Sequence, residues 1–128
     1  MSYHVDCCTI RCSQGSRFWA LEKNYGRGCD LVIENDNCNL LVLVEAKRGR
    51  ITLQDANKAV TQLIAGKEII NGISRYKTFK CVMAFVHCRQ GRIDNEAVRF
   101  FRKHRIYVFS SNEDLINRLR RYIRCRYD

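Results

Sequence analysis

Apolar positions along the chain fall into short runs with period two or none, separated by two longer stretches with helical spacing. Residues 3–12 contain an ambiguous run that fits a strand. Residues 16–23 (SRFWALEK) fit a short helix with Phe18, Trp19 and Leu21 inward, broken by Gly26 and Gly28. Residues 29–35 (CDLVIEN) and 40–47 (LLVLVEAK) are strands joined by the turn DNCN. Thr52 is placed to cap a helix reaching Asn71, with Leu53, Ala56, Val60, Leu63, Ile64 and Ile70 at helical spacing and Gly72 as its stop. Residues 79–86 (FKCVMAFV) are apolar almost throughout, as in a strand covered on both faces. Residues 93–104 form an amphipathic helix carrying Ala97, Val98 and Phe101, residues 106–109 a short strand, and Ser111 caps a last helix with Leu115, Ile116, Leu119 and Ile123.

The predicted order is therefore αββαβαβα. A hairpin followed by helical crossovers implies an α/β fold, a mixed sheet with helices on both faces. The long helix carries the chain from the second hairpin strand to the 79–86 strand, so those two should run parallel. At 128 residues, without repeat or linker, we expect a single domain spanning 1–128. No run of 18 apolar residues exists, and MSYHVDCCTIRC lacks a basic-then-apolar leader, so the expected setting is intracellular, in the cytoplasm, with no membrane.

The hairpin carries the candidate chemistry. With Asn37 and Cys38 as a two-residue turn, strand partners have numbers that sum to 75. Asp30 then faces Glu45, with Cβ atoms roughly 5 Å apart. Lys47 shares their face, while Leu31, Ile33, Val42 and Val44 line the other. Two like charges opposed on central strands are destabilising unless a cation lies between them. Two hard oxygen donors suit Mg²⁺ or Mn²⁺, and a water activated by such an ion beside Lys47 is a nucleophile for a phosphodiester. A one-residue slip in register would send Glu45 to the opposite face.

GCDLVIEN followed by LLVLVEAKRG resembles motifs II and III of the PD-(D/E)XK nuclease superfamily, nearest its archaeal Holliday junction resolvase and Mrr-like branches. The resemblance covers residues 16–109. It implies a restriction-endonuclease-like mixed sheet flanked by helices and a Mg²⁺- or Mn²⁺-dependent endodeoxyribonuclease with no organic cofactor. It further implies that Asp30, Glu45 and the Ala46 carbonyl ligate the metal, and that Lys47 is the catalytic lysine. For the acid that the family often carries on its first helix the candidate is Glu22. For the glutamine some branches carry after E-x-K it is Gln62, with Gln54 second. Cys29 stands where the family name has proline, and the segment ahead of Asp30 is short.

Charge then bears on the partner. Lys and Arg number 23 against 13 Asp and Glu, a net charge of +10, and 16 of the basic residues are arginine. Such an excess favours a polyanion, and guanidinium forks suit phosphate. Arg27, Arg48 and Arg50 flank the acidic pair, with Arg17 and Lys23 further upstream. Arg118, Arg120, Arg121, Arg124 and Arg126 surround the last helix, where solvation and phosphate binding are both open readings. Trp19 and Tyr25 are candidates for stacking on unpaired bases, with core packing the alternative.

Three functions compete: a DNA endonuclease, selective for branched DNA such as a Holliday junction; a non-catalytic nucleic-acid-binding module with the same fold; and an RNA-processing nuclease, for which no Tyr, His and Lys grouping is visible. A homodimer is expected because the catalytic core uses nearly the whole chain and two sites match a two-fold substrate. Tyr122, Ile123 and Tyr127 are candidates for its surface. Eight cysteines without a CxxC pair leave disulfides and buried thiols open, with zinc weakly supported; His4, His87 and His104 form no triad pattern.

Overall fold

The computed structural model describes residues 2–5, 8–11, 16–36, 39–88 and 91–109. They form a mixed α/β structure. Strands β1 (Ser2–Val5) and β2 (Cys8–Arg11) make an antiparallel pair of their own. Five further strands, β3 (Ser16–Trp19), β4 (Leu31–Asn35), β5 (Leu40–Arg48), β6 (Lys80–Cys88) and β7 (Tyr107–Phe109), form one sheet in chain order. β3, β4 and β5 are antiparallel neighbours, whereas β5, β6 and β7 run parallel. Helices α1 (Leu21–Tyr25), α2 (Leu53–Asn71) and α3 (Asn95–Lys103) fill the connections.

The hairpin pairs in the register expected from a two-residue turn. Leu31 faces Val44, Ile33 faces Val42 and Asn35 faces Leu40, so every pair sums to 75 as expected. The turn residues Asn37 and Cys38 lie outside the described residues. Asn39 enters β5 in the left-handed region (φ 50°), which asparagine tolerates, and its carbonyl accepts from the Lys80 N–H at 2.8 Å to fix the start of β6. The parallel pairing of β5 with β6 is also as expected.

Segment 16–23 differs from its predicted helix. Residues 16–19 are a strand, and the helix starts only at Leu21. Helical spacing of Phe18 and Leu21 was a real signal, but the edge of β4 offers a full ladder. Arg17 there lies opposite Glu34 and Phe18 opposite Ile33. Within the ambiguous run at 3–12, which fits a strand, the described residues form two strands, β1 and β2.

One sheet face packs on the helices. Leu41, Leu43 and Phe85 meet Ala56, Val60 and Leu63 of α2 and Phe101 of α3, with the Phe85 and Phe101 rings stacked at 4.5 Å. The other face gathers Leu31, Ile33, Val42, Val44, Ala84, Val86 and Phe109. All three described helices belong to the first layer; the predicted last helix lies outside the described residues. Thr52 caps α2 as expected, its hydroxyl accepting from the Asp55 N–H while the Asp55 carboxylate accepts from the Thr52 N–H at 2.9 Å. Gly66 lets α2 approach the chain just before Asp30: a Cβ there would meet Leu21 at 3.0 Å and the Cys29 sulfur at 3.3 Å. Cys29 and Cys81 are free thiols, and burial pushes the Cys29 thiol up to about 12, with the Glu45 charge adding to it. Cys88 is disulfide-bonded.

Two loops meet at the C-terminal ends of β5 and β6. Ile51 and Ile93 form an isolated parallel bridge, and the Ile51 N–H donates to the Arg92 carbonyl at 2.9 Å. Gly91 (φ +121°) lies so close that a Cβ on it would sit 2.4 Å from the Gly49 carbonyl carbon. Gly91→Ala is expected to cost more than about 1 kcal/mol, since both the backbone conformation and the contact oppose it. A thermal melt within a degree or two of the parent would show that the loops separate freely.

Candidate active site

The β4–β5 ladder ends at Leu31 and Val44, and the acidic pair lies where it frays. Asp30 is the residue just ahead of β4, and Glu45 lies within β5. The Ala46 N–H, next in line for a ladder bond, donates instead to the Asp30 carboxylate at 3.1 Å. The Asp30 N–H donates to the Glu45 carboxylate at 2.8 Å. Each acid thus takes a backbone donor from the other's strand, which holds both carboxylates at one end of the hairpin. Both residues are half-buried. A strand residue turns its N–H and C=O toward the same neighbour, so the Ala46 carbonyl faces the Asp30 side too.

This donor set, two carboxylates and one directed carbonyl, fits a hard divalent cation that retains several waters. Among the described residues no group of three or more His, Cys, Asp or Glu side chains converges as a metal cage.

Lys47 follows Glu45 by two residues on the same face of β5, roughly 7 Å along the strand. Its ammonium donates to the Asp55 carboxylate at 2.5 Å. Asp55 is the residue that sequence reading missed. The Thr52-x-x-Asp55 capping box was legible. Its closeness to Lys47 was not, because it depends on the turn around Gly49 that lays α2 against β5. Lys47 and the Thr52 N–H together hold the Asp55 carboxyl down at about 2. His87, in register with Lys47 on β6, was also missed. It is buried, and its Nε2–H donates to the Gly49 carbonyl at 2.7 Å, bracing the chain that leaves β5.

The remaining candidates are placed as follows. Gln62 is exposed on α2, seven residues beyond Asp55 and so about 10 Å further along the helix. Gln54 is exposed in the first turn of α2. Glu22 lies on α1, and its side chain is outside what is described. Arg48 is exposed, and strand alternation gives it the face of Ala46, opposite Lys47. Arg50 makes a two-pronged bond to Asp94 (3.1 and 3.0 Å) that ties the two loops and holds the Asp94 carboxyl below its ordinary range. Arg27 and Lys23 are exposed. Arg118, Arg120, Arg121, Arg124 and Arg126, with Tyr122, Ile123 and Tyr127, lie outside the described residues.

The Lys47–Asp55 pair has a pH signature. An acid held below its ordinary pKa of 3.8 contributes stability above that value and loses it as the pH falls toward about 2. The melting temperature should fall between pH 4 and pH 2, and fall less in Asp55→Asn, whose amide still accepts from Thr52. Parallel melting curves for the two proteins across that window would exclude the pairing. No family model, no curated protein and no solved structure matches the chain.

Proposed function

We propose that the chain is a metal-dependent endonuclease that hydrolyses DNA phosphodiesters, built on a restriction-endonuclease-like sheet. The reading is carried by Asp30 and Glu45, held together at the fray of β4 and β5 with Lys47 on their face. Asp30, Glu45 and the Ala46 carbonyl would hold Mg²⁺ or Mn²⁺. Such an ion polarises a phosphoryl oxygen and lowers the pKa of a bound water. Lys47 supplies positive charge for the phosphate oxygens as charge builds on them. Asp55 orients that ammonium, and His87 and the Arg50–Asp94 bridge brace the loops behind it.

The net charge of +10 supports a polyanionic substrate. Selectivity for branched DNA by a homodimer is part of the same proposal. Two sites related by a two-fold axis would match a four-way junction. Among the described residues no helix is long and apolar enough to cross a membrane.

One observation favours a second reading, a non-catalytic nucleic-acid-binding module. Each carboxylate of the pair already accepts a backbone N–H, so the two acids also serve to end a ladder without any ion.

Substitution separates the two readings. Asp30→Asn and Glu45→Gln keep an oxygen that accepts the same N–H, so the fold should survive with the charge removed. Each, like Lys47→Ala, should lower Mg²⁺-dependent nicking of plasmid or four-way DNA by at least about 100-fold. Wild-type nicking that persists without metal, or in all three variants, would overturn the assignment. DNA affinity in EDTA should fall steeply with salt, by roughly 0.9 in log K per phosphate contact per decade. A flat salt response would remove DNA as the partner.

A further inference from the structure

A second cluster lies at the other end of β4. Glu34 is fully buried, and its carboxylate accepts from Arg17 of β3, from Arg75 and from the Tyr76 hydroxyl. Arg75 and Tyr76 belong to a 3-10 turn, Ser74–Tyr76, that follows α2. The two arginines are pinned from inside at their guanidinium ends, yet their side chains as a whole are 53% and 54% exposed. A guanidinium carries five N–H donors, so pinning by one bond leaves others for a ligand.

Above this anchor is an open cavity of about 610 Å³, lined by Arg17, Trp19, Asn24, Tyr25, Arg75 and Tyr76 among others. That volume is within the usual ~300–1,000 Å³ of small-ligand sites. No carboxylate is among its described lining residues. Trp19 and Tyr76 lie nearly parallel, 14° apart with centroids at 6.4 Å, and the Arg75 guanidinium sits 5.1 Å over the Tyr76 ring. Tyr25 is 50% exposed. Flat aromatic faces beside outward-facing guanidinium donors suit a ligand that is aromatic and anionic at once. A nucleobase with its own phosphate has that chemistry.

We propose that this cavity between β3, α1 and the 3-10 turn takes an unpaired nucleotide of a DNA strand, its base against Tyr25 and Trp19 and its phosphate on Arg17 and Arg75. Glu34 of β4 and Asp30, just ahead of that strand, are four residues apart, about 13 Å of extended chain. A nucleotide held there would lie a few nucleotides along a strand from the acidic pair. The enzyme would thus favour DNA with an unpaired base a few nucleotides from the cut. That last step rests on the nuclease reading, whereas the binding does not.

Trp19 is the chain's single tryptophan, so its fluorescence reports the cavity directly. The full chain, in EDTA, is titrated with a short single-stranded oligonucleotide, a blunt duplex of equal length and a mononucleotide. Quenching by the single strand, with little from the duplex, is expected. Tyr25→Ala should weaken the single-strand affinity at least about fivefold and leave duplex affinity unchanged. Arg75→Gln should do the same, and a melting curve for each variant checks that it folds. Absence of quenching, or equal affinities in parent and Tyr25→Ala, would overturn the proposal. Equal affinity for the mononucleotide and the oligonucleotide would overturn the strand as the source of the ligand. Quenching without any Mg²⁺-dependent cleavage keeps the cavity and removes the nuclease; cleavage without quenching does the reverse.

Discussion

Asp30 meets Glu45 only because β4 and β5 pair as they do. Side chains alternate with period two, so a slip of one residue would exchange every buried and exposed position on one strand. A slip of β4 would turn Leu31 and Ile33 toward α2 and Val32 away from it, while β5 kept Leu41 and Leu43 inward. Both faces are apolar along the centre of the hairpin, so burial alone discriminates weakly between the two registers. The polar ends discriminate better. In the observed register Glu34 lies opposite Leu41, with Arg17 on its other side. Glu34 is thereby directed at Arg75 and Tyr76, and the acidic pair can exchange backbone donors at the far end. A buried carboxylate without those donors would cost several kcal/mol.

The two ends of β4 therefore settle the same question with opposite chemistry. At one end a carboxylate is buried, and burial pushes its carboxyl up against the pull of Tyr76 and Arg17. At the other end two carboxylates stay half-buried and take N–H groups that a longer ladder would have used. The proposed cation between them would relieve repulsion that those two hydrogen bonds only offset.

The register and the candidate site were legible in the sequence to different depths. The sum of 75 came from a two-residue turn, a local property. The Thr52 cap and Gly72 stop of α2 were equally local. The strand at 16–19 was not, because its ladder partner lies 17 residues away in the pairing of Phe18's neighbour Arg17 with Glu34. Likewise Asp55 was hidden as a partner of Lys47. Its own cap is a four-residue pattern, but the contact depends on how sharply the chain turns between β5 and α2. His87 and the close approach of Gly49 to Gly91 decide that turn, and neither leaves a periodic trace.

Lys47 is paired with one anion and, under the proposed function, would meet a second. Asp55 holds it at the N-terminal turn of α2, where the helix dipole already favours negative charge. A phosphate brought to the Asp30–Glu45 pair would approach the same ammonium from the strand side. Asp55 would lose its strongest partner by the exchange but would not be stranded, because the Thr52 N–H and hydroxyl still donate to it and the helix terminus still attracts it. Under the proposed function, the capping box would leave Asp55 with hydrogen-bond donors after the ammonium turned to a phosphate, and Asp55 would orient that ammonium beforehand.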